Sequence, residues 1–123
     1  MLFNKDIVAL AQENKDFRQE IFTGVHSQVV LMSIPPGGEI GEEIHPDVDQ
    51  VLAFVSGEGK ALVNGEQSPV AAQCLCFVPA GTTHNFINTG TSFLKLYTVY
   101  APPEPAPGTI HKTKADADAV KYT

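Results

Sequence analysis

The most specific pattern in the chain lies in the segment Pro79-Ala-Gly-Thr-Thr-His-Asn-Phe-Ile-Asn88. Pro79 and Gly81 are residue types that form tight turns. A strand beginning at His84 would point His84 and Phe86 to the same face, because side chains alternate along a strand. A single histidine in a strand is usually a partly buried structural residue. The segment alone therefore predicts a turn followed by a strand, and it leaves the role of His84 open.

A second pattern of turn glycines and polar side chains lies upstream, Gly37-x5-Glu43-x-His45-x4-Gln50-x6-Gly57. Glu43 and His45 share one face if this segment is extended. Pro46 favours that geometry, because a residue before proline is restricted to extended conformations. Polar side chains directed into a protein interior need partners. A metal or ligand site is one interpretation, and an exposed acidic turn is the other.

Short apolar segments separated by turn residues predict an all-β sandwich or barrel. The predicted strands are 17–22, 27–34, 50–56, 60–63, 74–78, 83–88 and 93–100. Asn64-Gly65 is a strong signal for a two-residue hairpin. We expect one domain over residues 1–123, with its barrel at about 17–100.

The two ends of the chain differ from this β pattern. Residues 7–14 have the apolar spacing of a short helix. The segment 101–123 begins with a proline-rich stretch, which predicts an irregular tail. Thr113 and Asp116 have the spacing of a capping box before a short helix at 117–122. The sequence does not decide whether this tail packs on the barrel, and we expect His111 within it to lie at the surface.

Composition and charge exclude several classes of function. Hydrophobic residues make up 43 % of the 123 residues, and the net charge is −6. An acidic chain of this kind is a poor nucleic-acid binder, and its apolar runs are too short for a membrane helix. The N-terminus lacks the apolar stretch of a secretory signal, so we expect a cytoplasmic protein. Cys74 and Cys76, the two cysteines, are expected to be small core side chains.

Together the two patterns resemble the signature motifs of the cupin superfamily, whose members are jelly-roll barrels, also called double-stranded β-helices. The second motif is matched at Pro79, Gly81, His84 and Asn88, with Gln73 in place of its first glycine. The first motif is matched at Gly37, His45 and Gly57. It departs from the pattern at two metal positions, where Glu43 replaces the usual His and Gln50 the usual Glu.

The resemblance implies a metal site formed by Glu43, His45, Gln50 and His84. Its formal charge stays at −1, because Glu43 supplies the carboxylate that Gln50 lacks. Nitrogen and oxygen donors of this kind suit one divalent transition metal, and Zn, Fe, Mn, Ni and Co are not distinguished by the sequence. Phe54 and Phe86 have the strand parity to line a pocket around the ion. His26 is expected in a turn, where its side chain is either exposed to solvent or in contact with the metal ligands.

The resemblance also implies alternatives for the function. One is a metal-dependent enzyme acting on a small polar metabolite. It would be either isomerase-like, similar to the mannose-6-phosphate isomerase type of cupin, or dioxygenase-like. Arg18 is the only arginine, which argues against a phosphorylated substrate. The other alternative is a non-catalytic module that binds a small molecule or a metal. Cupins commonly pair, so we expect a homodimer through strands 17–22 and 27–34.

Overall fold

Two antiparallel sheets and two short helices make up residues 2–120, the part of the chain that the computed structural model describes. The helices are α1 (Ile7–Glu13) and α2 (Lys114–Asp118). The strands are β1 (Arg18–Thr23), β2 (Gln28–Ile34), β3 (Asp49–Ser56), β4 (Glu58–Val63), β5 (Glu66–Ala71), β6 (Leu75–Val78), β7 (His84–Asn88), β8 (Leu94–Ala101) and β9 (Ile110–His111). The all-β prediction with short terminal helices is therefore confirmed. Neither helix among these residues is long and apolar enough to cross a membrane.

The larger sheet has six strands in the order β6-β3-β8-β2-β1-β9, and the smaller sheet has three in the order β5-β4-β7. Side chains on the facing surfaces of the sheets form one core. Phe86 and Leu52 are fully buried there, and Phe54 is 3 % exposed. Fully burying an apolar side chain of this size contributes about 1.5–3 kcal/mol relative to exposing it. This core holds the two sheets together around the candidate site.

Two strands were missing from the sequence prediction. β5 pairs with β4 through the predicted Asn64-Gly65 hairpin, in which both residues have positive φ, 50° and 82°. Its first four residues are polar or proline and exposed, so β5 lacks the alternating pattern that identifies a half-buried strand. β9 has only two residues, and it forms because the tail reaches the free edge of β1.

The C-terminal tail packs on the larger sheet. β9 pairs with β1, and the backbone N–H of Phe17 donates to the carbonyl of Lys112. The capping box of Thr113 and Asp116 is present. It opens helix Lys114–Asp118 rather than a helix at 117–122, and residues 121 and 122 lie outside the described residues.

Two expectations about single side chains were wrong. His111 is buried, at 8 % exposure, because β9 pairs it with Arg18 of β1. Cys74 is exposed, because it closes the turn between β5 and β6, where its N–H donates to the carbonyl of Ala71 at 3.0 Å. Cys76 is half-buried and packs against the core, which fits the expectation for that residue.

Candidate metal centre

Hydrogen bonds between the two motif segments place Glu43 directly beside His84. The N–H of Glu43 donates to the carbonyl of His84 at 2.9 Å, and the N–H of His84 donates back to the carbonyl of Glu43 at the same distance. The turn before His84 is fixed to the same segment, because the N–H of Gly81 donates to the carbonyl of His45 at 2.8 Å. Gly81 has a φ of 78°, a conformation that glycine adopts without strain. Residues far apart in sequence are thereby brought to one point.

Glu43, His45 and His84 form a group that could hold a metal ion. One potential ligand atom from each residue lies within 4.8 Å of the other two. The two imidazole rings are 5.3 Å apart between centroids. His45 and His84 are buried, while the Glu43 side chain is 29 % exposed. Nitrogen and carboxylate donors at such separations match the demands of a borderline transition metal.

His84 is oriented by its own backbone turn. Its Nδ1 atom lies 2.9 Å from the carbonyl oxygen of Thr82. A carbonyl oxygen only accepts hydrogen bonds, so this contact favours the tautomer with the proton on Nδ1, which leaves the lone pair of Nε2 for the site. Burial lowers the pKa of His84, against the opposing effect of the Thr82 carbonyl and the Glu43 charge. A neutral imidazole with a free Nε2 is the form that binds metals.

Buried polar atoms test whether these residues fit a metal ion. His45 Nε2, His84 Nε2 and Gln50 Oε1 are buried, and none has a hydrogen-bond partner within residues 2–120. The other amide atom of Gln50, Nε2, donates to the hydroxyl of Thr98 at 3.1 Å, which leaves Oε1 as the unpaired acceptor of the amide. Such atoms are costly to bury unpaired. The two histidine nitrogens fit a metal ion, since an ion held by the Glu43, His45 and His84 group would satisfy both.

Gln50 is linked to His45 through Tyr100, its neighbour on the adjacent strand. Gln50 of β3 pairs with Tyr100 of β8, and the Tyr100 ring packs edge-on against His45 with centroids 6.0 Å apart. Gln50 itself is 2 % exposed. Its burial on the inner face follows from the strand alternation that predicted it.

Opposite pKa shifts distinguish the two histidines. The Glu43 carboxylate, 3.8 Å from His45 Nε2, raises the pKa of His45, and Glu104 raises it further, so that together they outweigh the lowering by burial. Burial raises the pKa of Glu43, but its contact with His45 and the charge of Arg18 outweigh that effect and lower it. Each of Glu43 and His45 therefore favours the charged form of the other.

A cavity of about 450 Å³ opens beside Glu43. Arg18 of β1 and Lys114 of α2 line it together with Glu43. Lys114 also forms an ion pair with Asp118, at 2.6 Å. The C-terminal tail thus supplies one wall of the space next to the candidate metal group.

The predicted aromatic pair lies under the site. The rings of Phe54 and Phe86 are 5.8 Å apart between centroids, and Phe86 is 6.1 Å from the ring of His84. Both face the interior, as their strand parity predicted. His26 is exposed in the loop between β1 and β2.

Comparison with known proteins identifies the family. A family model described as a cupin domain matches residues 30–100, which is more than half of the chain. The chain belongs to the cupin family. The crystal structure of BH2720 from Bacillus halodurans superimposes on this cupin domain with a TM-score of 0.96 and 42 % identity, covering 98 % of this chain and 96 % of that one.

Two further relatives bear on length and on function. The uncharacterized protein YrkC of Bacillus subtilis is 45 % identical to this cupin domain, over 97 % of this chain and 67 % of that protein. The chain thus spans about two thirds of the length of YrkC. An oxalate-binding protein of Thermotoga maritima is 32 % identical, over 55 % of this chain and 56 % of that protein.

Sequence reasoning missed one residue at the site, Glu104. Its carboxylate oxygen Oε1 lies 3.4 Å from Nδ1 of His45. Glu104 belongs to the proline-rich tail, outside the residues that the cupin family model matches. No motif links it to His45, and only the folded position of the tail reveals the contact.

Proposed function

We propose that this cupin domain is a metal-dependent enzyme that acts on a small polar metabolite. One divalent transition-metal ion would be held by Glu43, His45, Gln50 and His84. The proposal is carried by the buried atoms His45 Nε2 and His84 Nε2, which lack hydrogen-bond partners and lie in one group with Glu43. Gln50 Oε1 is also buried without a hydrogen-bond partner, and the family motif adds Gln50 to the set. An ion at this point would recover the free energy that their burial costs.

The donor set defines the chemistry that the site could support. Two imidazoles, a carboxylate and an amide oxygen are ligands for Zn, Fe, Mn, Ni or Co. When bound, such an ion acts as a Lewis acid toward an oxygen atom of the substrate. The protein's own contribution is to hold His84 in the Nδ1–H form through Thr82 and to keep the site dry with Phe54 and Phe86.

A carboxylate-bearing metabolite is the substrate class that we favour. The Thermotoga maritima relative is named an oxalate-binding protein. A solved structure from the same organism, described as a predicted oxalate decarboxylase, is 29 % identical with a TM-score of 0.59, over 62 % of this chain and 66 % of that one. Arg18 lines the cavity beside Glu43 and offers a planar cation that carboxylates bind well.

An isomerase-like activity on a phosphorylated sugar is a second candidate. The presence of a single arginine argued against it, but Lys114 joins Arg18 at the cavity beside Glu43. The ion pair of Lys114 with Asp118, and Glu39 and Glu42 in the lining of the same cavity, weigh against a phosphate there. A dioxygenase-like activity depends on the same two-histidine, one-carboxylate group, which can hold Fe(II) with open positions.

Metal loading and ligand binding provide the first test. The purified protein is freed of metal with a chelator, reloaded separately with Zn²⁺, Mn²⁺, Fe²⁺, Ni²⁺ and Co²⁺, and titrated with oxalate by calorimetry. We expect oxalate to bind the metal-loaded wild type. It should not bind the metal-free protein, nor the His84→Ala variant after the same treatment with metal. Equal binding to all three would contradict a metal-centred ligand site.

A turnover assay distinguishes an enzyme from a non-catalytic binding module. The name of the Thermotoga maritima relative, an oxalate-binding protein, favours the binding module. The loaded protein is incubated with a panel of small carboxylates, 2-oxo acids and sugar phosphates, each followed by proton or carbon NMR. Consumption of one compound in large molar excess over the protein supports the enzyme. A ligand that binds and is recovered unchanged supports the non-catalytic alternative.

A further inference from the structure

We infer that Glu104, in the C-terminal tail, is a positioning residue that orients His45 and strengthens the metal site. This inference rests on the proposed metal-binding function. Glu104 Oε1 lies 3.4 Å from His45 Nδ1, and the Glu104 side chain is only 16 % exposed. A carboxylate accepts a hydrogen bond from an imidazole N–H and leaves the opposite ring nitrogen for the metal.

A buried glutamine fixes Glu104 in place. Gln28 of β2 is 1 % exposed, and its amide binds the tail backbone on both sides. Its Oε1 accepts from the N–H of Glu104 at 3.0 Å, and its Nε2 donates to the carbonyl of Pro105 at 2.6 Å. Because one side chain forms hydrogen bonds with the backbone of two consecutive tail residues, it fixes the position of both.

The row of residues across the larger sheet places this anchor next to the metal group. Tyr100 of β8 pairs with Gln28 of β2 on one side and with Gln50 of β3 on the other. The Tyr100 ring packs against His45. The tail anchor, the aromatic contact and the proposed amide ligand therefore lie at one level of the barrel.

Glu104 changes which nitrogen of His45 is available. The two ring nitrogens of His45 face two carboxylates, Glu43 at Nε2 and Glu104 at Nδ1. Glu43 alone would draw the proton of a neutral ring to Nε2 and so block that atom. Glu104 draws it to Nδ1, which keeps the Nε2 lone pair for the ion. The same carboxylate adds a second negative charge near the site.

The test compares Glu104→Ala with Glu20→Ala, a matched control. Glu20 Oε1 also holds the tail, by accepting from the N–H of Gly108 at 2.9 Å. Two quantities are measured for both variants and the wild type. They are the affinity for Zn²⁺ by chelator competition, and the fraction of the His45 Nδ1–H tautomer by nitrogen-15 NMR of the metal-free protein, at a pH where the ring is neutral.

We expect Glu104→Ala to weaken Zn²⁺ binding about 10- to 100-fold, the usual effect of removing such an outer partner. It should also lower the Nδ1–H fraction of His45, whereas Glu20→Ala should change neither quantity. An unchanged tautomer in Glu104→Ala, or an equal loss in Glu20→Ala, would overturn the inference. If Glu104→Ala does not fold, Glu104→Leu, which removes the acceptor but keeps most of the side-chain volume, provides the affinity measurement, and a wild-type affinity there also overturns it.

The two proposals fail separately. If the wild type binds none of the five metals, the proposed function is wrong, and the tautomer measurement on metal-free protein still decides whether Glu104 orients His45. If the wild type binds Zn²⁺ and the tautomer does not respond, the metal site stands and the role of Glu104 is wrong.

Discussion

His84 Nδ1 lies 2.9 Å from the carbonyl oxygen of Thr82, two residues earlier in the chain. The turn that begins at Pro79 creates this contact, since it points the Thr82 carbonyl back at the ring. We predict that neutral His84 is in the Nδ1–H form even without metal. Nitrogen-15 NMR of the metal-free protein would report this directly. An Nε2–H tautomer would show that the turn does not orient the ring.

Metal binding should strengthen as pH rises. The pKa of His45 is raised, chiefly by Glu43 and also by Glu104, and a metal binds only the neutral ring. Protons therefore compete with the ion below that raised pKa. We expect the affinity to increase with pH through it and then to level off. Competition titrations between about pH 5 and 8 measure this.

The contribution of His45 to the stability of the metal-free protein should show the opposite trend. The His45→Ala variant isolates it from the contribution of His84, whose lowered pKa acts in the other direction. A raised pKa in the folded state means that the charged His45 ring stabilises the fold. This contribution is fully present below the pKa of the unfolded chain and is lost as pH rises through the folded value. The rise in Tm on adding metal should therefore grow over the same interval. A metal-induced Tm shift that is constant with pH would contradict both trends.

The aromatic floor of the site should be a large contributor to stability. Phe86 is fully buried against Phe54 and His84, so Phe86→Ala should lower the free energy of unfolding by about 3–5 kcal/mol. Phe93 is 48 % exposed and lies near Lys95, so the same change there should cost about 1 kcal/mol or less. Urea unfolding measures both. Equal costs would mean that Phe86 is not a core residue.

A homodimer remains a prediction from the family resemblance, with its interface on β1 and β2. Sedimentation should give twice the chain mass of 13.2 kDa. The edge strand β6 offers a competing surface, because Leu75 and Phe77 are 66 % and 53 % exposed. Phe77→Glu should leave the dimer intact if β1 and β2 form the interface. A monomeric wild type would contradict the dimer, and a monomeric Phe77→Glu would move the interface to β6.

Local chemistry explains what could be predicted from the sequence. The Asn64-Gly65 hairpin and the capping box of Thr113 and Asp116 depend on residues within a few positions of each other. The inward direction of Gln50 and Phe86 follows from strand alternation. These features need no knowledge of the remaining chain.

Long-range contacts explain what could not be predicted. The burial of His111 requires the tail to reach the edge of β1. The contact of Glu104 with His45 requires the anchor at Gln28. In each case the decisive partner is distant in sequence, so no local pattern indicates it.

The most direct test of the account is the metal content of four variants, measured by mass spectrometry after purification without chelator or nickel resin. We predict one ion per wild-type chain, almost none in His84→Ala and a partial loss in Gln50→Ala, because water can replace a neutral amide ligand. Gln50→Glu should keep a full ion, and chelator competition should show that it binds the ion more tightly, because the ligand charge becomes −2. His26→Ala, an exposed histidine, serves as the control and should keep its ion. Full metal content in His84→Ala would contradict the proposed site.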